Sequence, residues 1–375
     1  MHMKLIAQVK LQPSEDQAEA LRQTMLAWNE AANYISDQAW MRKSFRAYDL
    51  HHATYYTIRE KFGLAAQAAI RVIAVVADAY KLDKRTKRTF RKMGAMTYDN
   101  RILTWALDKS EVSLWTLSGR QRIVFVCGEK QRKLLESLQG ECDLIYRNGE
   151  WYLHQTCNIV EDDSFDPDEW LGVDLGVVNI ATDSTGEVHQ GKTVKNVRYR
   201  HRRLRAKLQR KGTHAARRRL RKLSGRERRF GAWVNHNISK RIVAKAERTG
   251  QGIALEDLKG IRDRVRLRRP QRATLHSWSF FQLRTFIEYK AQLMGVPVVT
   301  VDPRNTSRTC PCCGHIDKAN RKTQDSFLCV ECGYSGHADT IAAINIGRRG
   351  LVSGPYIPDA NSPSIRSARD KAPLL

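Results

Sequence analysis

Between Cys310 and Asp339 the chain reads CPCCGHIDKANRKTQDSFLCVECGYSGHAD. Cys310 and Cys313 form one Cys-x-x-Cys turn, Cys329 and Cys332 another, and a glycine follows each pair, Gly314 and Gly333. A structural zinc ion takes four thiolate or imidazole ligands in a tetrahedron, and two such turns separated by a loop supply them. Glycine after the second cysteine tolerates the left-handed backbone that so tight a turn often needs. In this register Cys312 is a spare thiol; the alternative register uses Cys312 in place of Cys313.

Three carboxylates form a second group. Asp174 lies inside the apolar run LGVDLG, Glu256 ends the apolar run IAL, and Asp339 opens the helical pattern DTIAAINI, where the helix dipole favours a negative charge. A buried carboxylate is costly unless it is paired or bound to a metal. Gly172 and Gly176 flank Asp174 at two residues on either side, which puts them on its face of a strand and is expected to leave room there for a metal or a phosphate. Acids at the edges of three core elements suggest one shared site of hard oxygen ligands, suited to magnesium or manganese. Two such ions close together can activate water and stabilise the leaving oxygen of a phosphodiester.

The elements that must position these groups are legible from periodicity. Residues 4–11 alternate as a strand. Pro13 and Ser14 then open a helical region whose pattern continues through GLAAQAAIRVIAVVADAYKLDKRTKRTFRK, with a basic end at Lys92. Residues 96–160 change to strand patterns, with an Asn148-Gly149 hairpin turn. The acidic stretch EDDSFDPDEW marks a boundary, after which strands and helices alternate, the mark of an α/β domain. The expected organisation is a β-rich module of 1–13 and 84–165 around a helical insert of 14–83. An α/β domain of 166–305 and 337–349 follows, interrupted by the metal finger 306–336, with a disordered Ser- and Pro-containing tail at 350–375.

The net charge is +26. It points to a polyanionic partner, above all nucleic acid held through its phosphates. A membrane surface fits less well, because no basic stretch carries a broad apolar face with aromatic anchors, and no run of about 18 apolar residues exists to span a bilayer. Within a basic helical segment at 195–250, half the residues from Arg198 to Arg229 are Lys or Arg and only Glu227 is acidic. Leu204, Leu208, Leu220 and Leu223 give it a thin apolar stripe, which favours helices over a disordered charge run. Arg202, Arg203, Arg205, Lys207, Arg210, Lys211, Arg217, Arg218 and Arg221 are the candidate phosphate contacts. Gln67 and Arg71 share a helical face and are read first as ordinary surface residues, with DNA contact as the alternative. Cys127, Cys142 and Cys157 are expected as buried free thiols in strands. With most cysteines in the metal region and no leader pattern at the N-terminus, a reducing, cytoplasmic setting is expected.

One motif is a decoy. Gly186 to Thr193, GEVHQGKT, fits the spacing of an ATPase phosphate loop. That loop needs a buried strand leading into a glycine-rich turn, whereas here Gly186 completes a Ser-Thr-Gly turn and Val188 and His189 look like a returning strand.

Taken in order, GVDLGVVNIAT, IALEDL and CPCCG…CVECGYSGHADTIAAINI resemble the split RuvC nuclease motifs and zinc finger of the TnpB family, transposon-encoded RNA-guided DNA nucleases related to the compact type V CRISPR effectors. The resemblance covers roughly residues 170–347. It implies an RNase H-like fold with a helical recognition and β-barrel wedge lobe. Asp174, Glu256 and Asp339 would be the catalytic, magnesium-binding acids, with manganese able to substitute, and Cys310, Cys313, Cys329 and Cys332 the zinc ligands. It further implies a guide RNA from the transposon end, double-stranded target DNA next to a short adjacent motif, one protein per RNA, and a prokaryotic, nucleoid-associated setting. The chain departs from the family at Ile341, where Asn is common, and at the extra Cys312. A nuclease-independent RNA-guided regulator or a DNA-joining transposition protein would share the lobe; the complete acid triad favours cleavage. Replacing Cys312 by Ser is expected to leave zinc content unchanged by metal analysis; loss of one zinc per chain would assign Cys312 as a ligand.

Overall fold

A computed structural model describes residues 2–258 and 280–353. The described residues divide into two compact units, 2–160 and 161–353.

The first unit begins with strand β1 (His2–Gln12), followed by helices α1 (Glu15–Arg42), α2 (Ala47–Phe62) and α3 (Ala66–Leu82). Ser14 caps α1 in a reciprocal box with Gln17, as its position after Pro13 suggests. Leu21, Met25, Trp28, Ala32, Ile35 and Ala39 recur at alternating four- and three-residue spacing and form the buried stripe of α1. Strands β2 (Met96–Tyr98), β3 (Leu103–Ala106), β4 (Glu111–Thr116), β5 (Gly119–Val126), β6 (Leu138–Arg147) and β7 (Glu150–Val160), with the short helix α4 (Glu129–Leu135), complete the unit. The sheet runs β2-β6-β7-β1-β5-β4-β3, with β1 antiparallel to both β7 and β5. This is why the first strand and the later β-rich stretch belong together across the helical insert. Asn148 and Gly149 both take positive φ in the turn that pairs Arg147 with Glu150, as an Asn-Gly hairpin requires. Among the described residues no ladder joins β2 to β3, so the hydrogen bonds define an open sheet where a barrel was expected. Cys142 and Cys157 are buried in strands, but Cys127 lies just past β5 and is half-buried. Gln67 is bonded to Asp99 and Arg101, and Arg71 pairs with Glu141. Both serve the unit's own structure, in line with the ordinary surface reading.

The second unit contains β8 (Trp170–Asp174), β9 (Asn179–Asp183), β10 (Val188–Gln190), α5 (Lys192–Lys211), α6 (His214–Thr249), β11 (Gly252–Glu256), α7 (Phe280–Leu293), β12 (Val298–Val301), the finger strands β13 (Ser326–Leu328) and β14 (Ser335–His337), and α8 (Ala338–Ser353). Its main sheet has the order β10-β9-β8-β11-β12. The strands β8, β11 and β12 are parallel, and β9 and β10 are antiparallel additions. One face buries Leu171, Val173, Ile253 and Leu255 against Ile238, Ile242 and Val243 of α6 and Leu283 and Ile287 of α7. The opposite face buries Trp170, Ala254, Val299 and Val301 against Ile346 of α8. The unit is therefore a three-layer α/β sandwich.

The space beside Gly172 is not left for a metal or phosphate. A Cβ there would overlap the Ala343 carbonyl and the Gly347 backbone of α8, and a Cβ on Gly347 would sit 2.7 Å from the Trp170 carbonyl oxygen. These two glycines let helix backbone rest directly on strand backbone. Gly176 has a different role, in the tight turn against the Asn179 carbonyl. The GEVHQGKT stretch is likewise claimed by the fold. β10 occupies its middle, the Gly191 N–H donates to the Val178 carbonyl (2.8 Å), and Lys192 starts α5. α8 runs to Ser353, so the expected tail is helical at its start; the remainder, from residue 354, lies outside the described residues. Gly172→Val is expected to lower folding stability by about 3 kcal/mol or more in denaturant titration, because neither backbone can yield. A loss below about 0.5 kcal/mol, the range of a neutral surface change, would mean that α8 does not sit on β8 this closely.

Candidate metal centres and nucleic-acid interface

Strand polarity places the first two acids. β8 and β11 run parallel with Val173 opposite Leu255, so Asp174 and Glu256 follow on neighbouring strands at their carboxyl ends. Ligands of open α/β sheets bind at that edge. The third acid arrives from the other direction: α8 crosses the face of Gly172, and its first turn carries Asp339. The close glycine packing therefore brings Asp339 to the ends of β8 and β11.

The electrostatics show that the three carboxylates sense one another. Burial pushes Asp174 up to about 8, and the charges of Glu256 and Asp339 push the same way against Arg321 and the Leu175 N–H. Glu256, 9% exposed, is also raised by burial, opposed by a hydrogen bond from Thr306 and by Arg349 and Arg321. Neighbours fix each side chain. Thr306 Oγ1 donates to Glu256 Oε1 at 2.6 Å. Asn179 Nδ2 donates to Asp339 Oδ2 at 2.9 Å, and Arg321 Nη2 reaches Asp339 Oδ1 at 3.2 Å while also bonding the Gln324 carbonyl. Thr306, Asn179 and Arg321 had no signal in the sequence. The three acids do not close onto one point: among the described residues only the four cysteines bring three or more ligand atoms within 4.8 Å of one another.

Those cysteines are Cys310, Cys313, Cys329 and Cys332. Cys310 and Cys332 Sγ atoms lie 3.6 Å apart, as do those of Cys313 and Cys329. Zn–S bonds of about 2.3 Å imply tetrahedral edges of about 3.8 Å, so the donor set fits zinc. Gly314 and Gly333 take φ of 75° and 74° and donate back to the Cys310 and Cys329 carbonyls. Cys312 is exposed and outside the group. Ile341, buried at 2% exposure, packs with Phe327, Cys310 and Cys329, which gives this departure from the family pattern a structural use. Asn345, four residues on, donates to the carbonyls of Thr306 and Thr309 (2.8 Å each) and so ties the entry of the finger to α8.

The basic segment folds as the hairpin of α5 and α6, turning at Gly212 (φ 66°). Leu208 and Leu223 are buried within it, while Leu204 and Leu220 are half-buried. Arg202, Arg203, Lys207, Arg210, Lys211, Arg217, Arg218 and Arg221 are exposed. Arg205 differs: it is paired with Glu227, the one acid between Arg198 and Arg229, and so helps to join the two helices.

Residues 156–260 match a family model described as a probable transposase of the OrfB type, and residues 280–346 match the Cas12f1-like TNB domain. The CRISPR-associated endodeoxyribonuclease Cas12f1 of Syntrophomonas palmitatica is 33% identical over 209 residues, covering 50% of this chain and 40% of that protein. A TnpB-like protein of Methanocaldococcus jannaschii is 34% identical over 138 residues, covering 36% of this chain and 49% of its own length. The putative RNA-guided DNA endonuclease InsQ of Escherichia coli K12 is 28% identical over 218 residues, 53% of each chain. The chain thus spans about half the length of the curated relatives it matches. In fold it is similar to Cas12f1 in a complex with guide RNA and target DNA, with a TM-score of 0.58 at 15% identity over 89% of this chain and 83% of that one. The mini RNA-guided endonuclease Cas-phi3 gives the same TM-score at 10% identity over 94% and 93%.

The raised pKa of Asp174 has a sign that can be tested without nucleic acid. An ordinary aspartate titrates near 4. A folded-state value of about 8 means that the neutral carboxyl favours the fold below about 4 and that this contribution is lost as pH rises through about 8. In magnesium-free buffer, melting temperature is expected to fall across that window. Asp174→Asn should flatten the fall, whereas an equally steep fall in the variant would place the titration elsewhere.

Proposed function

We propose that this chain is a member of the TnpB family and an RNA-guided DNA endonuclease. In this reading it pairs a transposon-derived guide RNA with target DNA beside a short adjacent motif and hydrolyses both strands at one site. The observation that carries the proposal is the convergence of three core acids, two of them raised by burial, in a chain with a net charge of +26. Asp174, Glu256 and Asp339 would hold magnesium, with manganese as a substitute. Bound there, a pair of ions would supply water activation and charge stabilisation on the leaving oxygen.

The chain's own residues do the rest. Burial and its two acidic neighbours raise Asp174 to about 8, so its carboxyl would hold a proton near pH 7 and would lose it to solvent on serving as a cation ligand. Thr306 fixes the Glu256 carboxylate, and Asn179 and Arg321 fix that of Asp339, so the ligand geometry is set before substrate arrives. Zinc at the four cysteines would hold the finger that carries Arg321. The exposed arginines of α5 and α6 offer charge rather than a base code, as suffices when pairing with a guide reads the sequence. Asp174→Ala, purified with its RNA, is expected to bind target DNA and not cut it; wild-type protein in calcium should also bind with little cutting. Cutting by Asp174→Ala at the wild-type rate would remove the triad from the mechanism.

A further inference from the structure

The irregular segment Asp83–Ala95, DKRTKRTFRKMGA, joins α3 to β2 and holds six Lys or Arg and one acid. Such a stretch would be expected to wander. Instead, polar side chains of α1 and α3 clamp its backbone, with Asn29, Ser36 and Tyr80 buried and Asn33 half-buried. Asn33 donates to the Phe90 carbonyl (2.9 Å) and accepts from the Phe90 N–H (2.7 Å). Asn29, 2% exposed, donates to the Gly94 carbonyl (3.0 Å), and Gly94 lacks the Cβ that would strike the Asn29 side chain at 2.7 Å. Ser36, fully buried, donates to the Arg88 carbonyl (2.6 Å), and the buried Tyr80 hydroxyl accepts from the Arg88 N–H (3.2 Å). Polar groups placed in a helix's buried face are costly unless bonded, so the α1 face is shaped to hold this segment.

The clamp fixes where the charges point. Asp83 is engaged by the Arg85 N–H (2.8 Å) and by Arg88, and Lys87 pairs with Asp37 (2.8 Å). Lys84, Arg85, Arg91 and Lys92 are exposed, and among the described residues no carboxylate lies within ion-pair distance of their side chains. We infer that Asp83–Ala95 is a pre-organised phosphodiester-binding strap in the first unit, with Lys84, Arg85, Arg91 and Lys92 as the contacts and Asn33 as the residue that positions them. The inference rests on nucleic acid being the partner, and it adds a site separate from the α5–α6 hairpin. Ordering in advance removes a cost that a flexible basic loop would meet on binding.

The test uses full-length protein with two fluorescein-labelled probes, a random-sequence DNA duplex and an RNA hairpin, titrated by anisotropy over a range of salt. Replacing Lys84, Arg85, Arg91 and Lys92 together by Gln is expected to reduce the slope of log K against log salt by about three on the probe the strap holds. The matched change of Lys109, Lys130, Lys133 and Arg147, exposed elsewhere in the unit, should have a smaller effect. Asn33→Ala alters no charge, yet it should weaken binding by about three- to tenfold and lower the salt slope, with the melting temperature checked alongside. A change on the duplex alone assigns the strap to DNA, on the hairpin alone to RNA. Equal losses in the two fourfold variants, or an unchanged slope in the strap variant, would overturn the strap alone. Wild-type protein that binds neither probe would overturn both the strap and the nucleic-acid reading beneath it.

Discussion

The approach of α8 to β8 is the constraint on which the rest of the second unit depends. Gly172 and Gly347 have no side chains, and their backbones occupy the space that two Cβ atoms would need. That contact sets the depth of α8 on the sheet and therefore the reach of Asp339 toward Asp174. It also sets the finger, since α8 begins where β14 ends and its residues Ile341 and Asn345 hold the cysteine core and the 306–309 segment. A helix standing off by one methyl group would separate the third acid from the first two and loosen the finger together with it.

The site built on that contact is unfavourable on its own. Three acids in a partly buried edge repel one another, and burial penalises each charge. The fold meets this in part with Arg321, Arg349, Asn179 and Thr306, and in part by keeping Asp174 protonated. Both measures would yield to a divalent cation, which would supply more charge at shorter range. A destabilised, incompletely neutralised acid cluster in a rigid frame is what a cation-dependent hydrolase requires, and a purely structural role would have been served by uncharged residues at lower cost.

Much of this was legible in the residues because it is local. Cys-x-x-Cys turns with their glycines, an aspartate in an apolar strand and an aspartate at a helix start each carry their signal within a few positions. The partners that tune them do not. Asn179 reaches Asp339 across 160 positions, and Thr306 reaches Glu256 across 50. Nothing near either residue marks that meeting. The glycine at 172 was misjudged for the same reason: an empty side-chain position shows that something comes close, but not whether it is a metal, a phosphate or a helix. Gln67 and Arg71 illustrate the converse, since their facing partners Asp99 and Glu141 lie on other elements and turn a possible binding face into internal structure. The basic stretch 83–92 reads as the end of a helix, yet the helix stops at Leu82, because Asn29, Asn33 and Ser36 of α1, some fifty or more positions away, take up the backbone groups beyond it.

The central claim is that a specific RNA directs this protein. The measurement that tests it most directly is to express the chain with its native flanking DNA, purify it and sequence the RNA that accompanies it. The account predicts one discrete species, a constant scaffold ending in a segment that matches neighbouring DNA. A random assortment of cellular fragments would contradict it, and would mean that the charge of the chain binds RNA without selection.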